Sequence, residues 1–351
     1  MRQMLLEREN ATAIDAIGRL IGLQAQVPRP PFIGLWTRVR GFTRTELTDA
    51  LRGRTAVRVT SMRGTLHVMT TADYVAMRGA LQPMLSRGTQ SILRGRGAEL
   101  DMAALDTEGR NFFGKGAATF DALRDYLKTK HPGADERAMA YAIRTHVPLV
   151  QVPTDAVWAF PAAADFTLAD GWLSTKVSTA ATSAEVLVRR YLAAFGPATP
   201  ADAQAWSGMG GLRDTFEKLR PTLVTFRDER KRELFDLPDA PRPDEDTVAP
   251  VRFIPDFDNL VLSHDDRTRI MAEAHRSRVT LKNLQVRATF LVDGIVAGTW
   301  KSERKRKAAV LVIEPFGAVA RRTRAALEQE GEQLLAFLEV DATERAIRWA
   351  S

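Results

Sequence analysis

The sequence predicts an α+β chain: three tandem winged-helix units, then a β-rich region folded as a small barrel or curled sheet, then a long C-terminal helix. Three observations carry that expectation. Helical segments opened by Thr or Asp recur before residue 240, and each group is followed by two short strand-like runs. Residues 238–250 then hold four prolines and four acidic residues, the composition of a linker or long loop. Beyond that stretch the apolar period changes from 3.6 to 2. The units are placed at 1–100, 101–172, 173–248 and 249–351.

Taken in order, residues 12–21 carry apolar positions at helical spacing, with Thr12 as N-cap and Asp15 in the first turn. Pro28, Pro30 and Pro31 stop that helix from continuing, so the chain through Leu23-Gln24-Ala25-Gln26 is expected to be extended. Thr43 or Thr45 can cap a helix through Leu51. Runs 56–60 and 65–70 read as two strands around an Arg63-Gly64 turn, and Thr71-Ala72-Asp73 opens the next helix. The outline repeats with helices at 119–130 and 135–146 and a ribbon of 149–152 with 157–160. It repeats again with helices at 184–195, 199–206 and 211–219 and a ribbon of 223–226 with 233–235. In the last region 259–262, 286–290, 296–300 and 309–313 read as strands, and Asp293-Gly294 is a strong hairpin signal. Residues 318–338 form a long amphipathic helix, with Arg321, Arg322 and Arg324 near its start. Residues 343–351 are expected to return and pair.

The composition of the 351-residue chain, 45% hydrophobic and 26% charged, is that of a soluble globular protein. No run is apolar enough for a membrane span, so a cytoplasmic protein is expected. With no cysteine, disulfides, thiolate metal sites and a cysteine nucleophile are excluded, and five histidines leave little for a metal centre. Neither a phosphate-cradling glycine loop nor a serine-hydrolase elbow occurs. The net charge of +7 favours polyanionic partners. Seven arginines crowd residues 38–63 against two acids. The run Lys301-Ser302-Glu303-Arg304-Lys305-Arg306-Lys307 places five basic residues in seven at a hairpin tip, which suits tracking of a phosphate backbone.

In an extended segment Gln24 and Gln26 point to one side and Ala25 to the other, presenting two carboxamides together. Asp256, Asp258, Asn259, His264 and Asp265 include ligand-type side chains but lack cation-loop spacing, and are read as a capped turn that rigidifies the second half. The runs Gly22-Leu23-Gln24-Ala25-Gln26, Pro31-Phe32-Ile33-Gly34-Leu35-Trp36-Thr37-Arg38, Met62-Arg63-Gly64-Thr65-Leu66-His67, Pro255-Asp256-Phe257-Asp258-Asn259-Leu260 and Leu291-Val292-Asp293-Gly294 together resemble the AlkZ/YcaQ-like family of winged-helix DNA glycosylases. The likeness spans nearly the whole chain and is specific only in combination.

The resemblance implies that Gln24 and Gln26 form the catalytic motif, in the AlkZ-like branch with glutamine at the second position where the YcaQ-like branch has aspartate. DNA contacts are expected from Arg29, Arg38, Arg40, Arg58 and Arg63 by their charge, from Thr65 and His67 because the resemblance puts their run near the nucleic-acid-binding surface, and from Arg304, Lys305, Arg306 and Lys307 of the hairpin. A neutral pair suits a cationic N7-alkylpurine, which leaves as a neutral base without a strong general acid. The expectation is therefore a metal-free, cofactor-free, monomeric, monofunctional glycosylase acting on duplex DNA that carries alkylated purines or interstrand crosslinks. A non-catalytic DNA-binding regulator accounts for the charge and the units but leaves the glutamine pair without purpose. A protein-interaction scaffold leaves the basic hairpin unexplained as well.

Overall fold

The computed structural model describes residues 1–96 and 100–350, so Gly97, Ala98 and Glu99 of the first expected unit and the terminal Ser351 lie outside the described residues. The chain is a mixed α+β fold of helices packed on open sheets. Strands β1 (Leu23–Gln24), β2 (Ala56–Thr60), β3 (Leu66–Thr70), β4 (Leu149–Gln151) and β5 (Phe166–Leu168) form an antiparallel sheet in the order β1-β3-β2-β4-β5. Strands β6 (Val224–Arg227) and β7 (Glu233–Asp236) pair as a separate ribbon. The last sheet joins β8 (Arg252–Ile254), β9 (Thr289–Val292), β10 (Ile295–Lys305), β11 (Ala308–Pro315) and β12 (Glu344–Trp349) in the order β12-β11-β10-β9-β8. It is open, with β12 parallel to β11, so the expected barrel does not close.

Local chemistry accounts for most element boundaries. Thr12 and Thr199 each make a reciprocal capping box, with Asp15 and Asp202, and Pro200 opens its helix where a missing amide proton costs nothing. Thr119 and Asp135 cap the helices Phe120–Lys130 and Glu136–His146 through backbone amides of the first turn. At the β9–β10 turn Asp293 and Gly294 both take positive φ, the conformation a two-residue hairpin requires.

Three expectations are corrected. Residues 157–160 form no strand: Pro153 and Pro161 flank them, and Trp158 turns away to meet Phe32 edge-on at 5.3 Å and to receive the Arg44 guanidinium on its face. Strand β5 takes their place as partner of β4. Residues 259–262 form one helical turn, Asn259–Leu262, because Asp258 accepts the Leu260 amide and caps it. Pro30 and Pro31 also open a helix, Pro30–Trp36, instead of prolonging the loop. The long helix Thr71–Gly95 and the helix Met102–Phe113, capped by Asp101, occupy the stretch between the first two ribbons.

Apolar packing joins distant parts of the chain. Tyr191, Phe195 and Trp206 stack on one another in a core that also holds Tyr74 and Met77 of the long helix. Under the last sheet, Phe253, Phe290, Trp300 and Leu311 pack against Leu327, Leu334 and Leu335 of the helix Arg321–Leu338. That helix reaches the N-terminal segment through Phe337, which stacks on Trp36. Among the described residues no helix is long and apolar enough to cross a membrane.

Among the described residues the most completely buried ion pair is that of Arg38 with Asp258, both side chains with no solvent exposure. Arg38 donates twice to the carboxylate, at 2.8 and 2.9 Å, and to the carbonyls of Gln3 and Gly34. The adjacent Asn259 donates to the Gly22 carbonyl at 2.6 Å. Asp258→Ala is expected to destabilise the fold by about 3–5 kcal/mol, read as a lower urea midpoint, because it strands a buried guanidinium. The apolar double variant Arg38→Met/Asp258→Leu should recover part of that loss; a single variant as stable as wild type would show the pair to be dispensable.

Candidate active site around the glutamine pair

Gly22 takes φ of +90°, and a Cβ there would fall 2.9 Å from Met69 Cγ, so only glycine lets the chain enter β1 so close to β3. Pairing then fixes the register. Leu23 opposes Val68, Gln24 opposes His67, and the Ala25 amide donates to the Leu66 carbonyl at 2.7 Å. Leu23, Gln24 and Ala25 are all buried, so burial does not alternate along this segment, and only Gln26 is exposed.

Each carboxamide is oriented by an obligate donor. Arg63 Nη2 donates to Gln24 Oε1 at 2.7 Å, and the Leu66 amide donates to Gln26 Oε1 at 3.2 Å. The oxygens therefore face the β2–β3 connection, each with one lone pair left. Neither Nε2 has a hydrogen-bond partner among the described residues. Arg63 is itself held by the Trp206 carbonyl and takes positive φ in the short 3-10 turn Met62–Gly64. Gly208 makes this possible, since a Cβ there would lie 3.0 Å from Arg63 Cα. Burial, with the nearby Arg267 charge, lowers the Arg63 pKa to about 10, which leaves it charged at neutral pH.

The other expected contacts separate into inward and outward groups. Arg38 is enclosed by its pair with Asp258 and cannot reach DNA in this fold. Arg58 is also buried: it donates to the carbonyls of Ala25 and Gln26 and lies over the Phe160 ring, so it supports the pair from behind. His67 is fully buried, and burial followed by the Arg63 charge drives its pKa down to about 3. Its Nδ1 meets the Thr65 carbonyl at 3.1 Å, and its Nε2 has no partner among the described residues. It is a neutral ring beneath Gln24, not a surface contact. Thr65 is half-buried with its hydroxyl on the Met62 carbonyl, and Arg40 is exposed beside Glu7.

Arg29 links the pair to the basic hairpin, since its Nη2 donates to Ser302 Oγ on β10 at 2.7 Å. Arg304, Lys305, Arg306 and Lys307 are exposed at the β10–β11 tip, where Arg306 takes positive φ, and Arg304 pairs with Glu339 at 2.8 Å. Sequence reading missed three contacts at the site: the Trp206 carbonyl on Arg63, Ser302 on Arg29, and Asn259 on the Gly22 carbonyl before β1, although Ser302 and Asn259 stood in runs singled out for other reasons. The expected capped turn is present but ties the second half to the first. Asp258 and Asn259 are committed to Arg38 and Gly22, and His264 bonds Ser263 and the Phe195 carbonyl. Among the described residues no group of three His, Cys, Asp or Glu side chains could hold a metal ion. A cavity of about 750 Å3 lies elsewhere, between the β6–β7 ribbon and Asp266.

The arrangement offers two neutral amides, each with free donor and acceptor capacity, one on β1 and one in the bend just after it, in front of buried positive charge. Among the described residues, no group hydrogen-bonded to them is a carboxylate. A search of curated proteins found no match to the chain. The chain is similar in fold to Streptomyces sahachiroi DNA glycosylase AlkZ, with a TM-score of 0.80 over 99% of this chain and 96% of that one, at 22% identity. The model of the AlkZ-like DNA glycosylase family matches residues 17–337. With nearly its whole length matched, the chain belongs to the AlkZ-like DNA glycosylase family.

Proposed function

We propose that this DNA glycosylase is monofunctional and hydrolyses the N-glycosidic bond of cationic N7-alkylpurines in duplex DNA, including each end of an N7-linked interstrand crosslink. The observation that carries the reading is the neutral pair Gln24 and Gln26, oriented by Arg63 and by the Leu66 amide. We read the three groups of helices with their ribbons as tandem winged helices, divided at residues 100, 172 and 248, that present the pair to the duplex. The protein works as a metal-free monomer in the cytoplasm.

The chemistry asks little of the protein. As the C1'–N9 bond breaks, both electrons go to the base, cancel its positive charge and release a neutral molecule. Water adds to C1' and gives up its proton to solvent. What remains is to hold the water and stabilise the cationic sugar. The two glutamines divide these tasks unequally. A charged guanidinium polarises the Gln24 carboxamide, which makes its Nε2 the stronger donor and its oxygen the weaker acceptor. The exposed Gln26 receives only a backbone amide, so its oxygen keeps more basicity for a water. No amine nucleophile is required, and the abasic strand stays intact.

Incubation with duplex DNA containing 7-methylguanine is expected to release free base without strand cleavage; no release would end the reading. Gln24→Ala and Gln26→Ala should each slow single-turnover excision, on the order of a hundredfold, with little change in DNA affinity. Arg63→Ala should slow it as well, and the double variant with Gln24→Ala should be no slower than Gln24→Ala alone, because Arg63 acts through that side chain. Independent, additive losses would separate the two residues.

A pH profile tests the absence of a carboxylate base. Neither glutamine titrates, His67 stays neutral down to about pH 3, and Arg63 stays charged to about pH 10. Single-turnover excision is expected to be flat over about pH 5 to 6.5, whereas a rate climbing with pH in that window would reveal a titrating base. For the hairpin, replacing Arg304, Lys305, Arg306 and Lys307 with serine should weaken binding to damaged and undamaged duplexes alike. The slope of log affinity against log salt should shrink by up to about 0.9 for each phosphate the protein no longer neutralises. A defect confined to lesion-bearing DNA would place the loop at the damaged base.

A further inference from the structure

Beyond the glutamine pair and the hairpin, the second group of helices carries a basic cleft that nothing above uses. It measures about 300 Å3, and its lining includes Arg96, Arg124, Arg137 and Arg144 with Phe120 and Tyr141, but no acidic side chain. Arg137, Tyr141 and Arg144 fall at i, i+4 and i+7 of the helix Glu136–His146, so they share one face. Arg124 comes from the neighbouring helix Phe120–Lys130, and Arg96 ends the long helix Thr71–Gly95.

Two features set this cleft apart from a solvated basic surface. Arg144 has no carboxylate partner among the described residues: its Nε meets Thr60 Oγ1 at 3.2 Å and its guanidinium lies over the Phe120 ring. It keeps an uncompensated charge, half-buried, at the cleft wall. The cleft wall is also joined to the glutamine pair through the β2–β3 ladder. Thr60 opposes Leu66 in the β2–β3 pairing, and the Leu66 amide is the donor to Gln26 Oε1. A Cβ on Gly64, next to Arg63, would lie 3.6 Å from the Tyr141 hydroxyl.

The pair is thus linked by contacts to the hairpin, through Arg29 and Ser302, and to this cleft, through Thr60 and Gly64. We infer that the cleft is a second anchor for DNA, taking phosphodiester groups of the duplex arm that leaves the lesion on the side opposite the hairpin. Guanidinium forks match phosphate oxygens, and Tyr141 adds a hydroxyl donor. The exposed ion pairs of Arg96 with Asp135 and of Arg124 with Asp121 are weak enough for phosphate to displace. The inference rests on the reading that DNA crosses Gln24 and Gln26.

The test uses the full chain with Arg96→Ser, Arg124→Ser and Arg137→Ser combined. Binding is measured on a duplex with a central tetrahydrofuran abasic-site analogue, and on two versions each cut short on one side of it. The triple variant is expected to bind the full duplex on the order of tenfold more weakly, with a shallower salt slope. That loss should persist on one shortened duplex and vanish on the other, and the hairpin variant should show the reverse assignment. Affinities equal to wild type on all three duplexes would overturn the anchor. An equal loss on all three would also overturn it, because it would mean a diffuse field and no local contact. The measurement needs no base release: wild-type protein that binds these duplexes but frees no 7-methylguanine loses the catalytic reading and leaves the cleft standing. Normal excision with unchanged variant affinity removes the cleft alone.

Discussion

The glutamine pair depends on a polar clamp whose two halves lie 220 residues apart in sequence. Removing two charges from water is costly, and the buried pair of Arg38 with Asp258 is tolerable only because its hydrogen-bonding capacity is used. The carboxylate takes two guanidinium donors and the Leu260 amide, while the guanidinium also reaches the Gln3 and Gly34 carbonyls. The clamp therefore fixes where the turn Asn259–Leu262 begins, and Asn259 in turn holds the Gly22 carbonyl. Gly22 is the hinge at which the chain swings into β1. A large part of the energetic cost of a precise active site is met by interactions that touch no substrate.

The sequence disclosed what is local and hid what is not. Thr12, Thr119, Asp135 and Thr199 sit at helix starts because a side-chain oxygen and a free backbone amide are neighbours in sequence. The ribbons β2–β3 and β6–β7 and the Asp293-Gly294 turn were legible for the same reason. Residues 259–262 misled because an apolar run reads equally as strand or buried helix, and the deciding cap, Asp258, is oriented by an arginine from another part of the chain. Trp158 misled similarly: its aromatic bulk suggested a strand, yet its partners, Phe32 and Arg44, are distant in sequence.

Arginine destinations were the least legible feature of the site. The crowd at residues 38–63 looked like a single positive surface, but Arg38 and Arg58 point inward and serve carbonyls and a carboxylate, and Arg63 serves Gln24. A guanidinium can satisfy several backbone acceptors at once, so residue type alone does not say whether it faces water or the interior. The extended entry through Leu23–Gln24 was legible, but the chain bends at Gln26 instead of continuing the strand. Which donor would orient each carboxamide was not legible, since Arg63 reaches Gln24 only because Gly208 lets a separate helix-ribbon group approach.

The hairpin shows how an exposed charge cluster keeps its shape without relying on ion pairs. Its shape comes from eight paired positions between β10 and β11, with β12 backing β11 along much of its length. Its ion pairs, Arg304 with Glu339 and Arg348 with Glu303, are exposed and contribute little to that rigidity. Because the backbone ladder carries the shape, a phosphate can take Arg304 from Glu339 without disturbing the fold. Arg29 donates to Ser302 on the same β10 strand, so the position of a backbone held at the tip is transmitted to the residue three places after Gln26. Tip and glutamine pair are thereby tied to one β-sheet frame, so that a displacement of either is felt at the other.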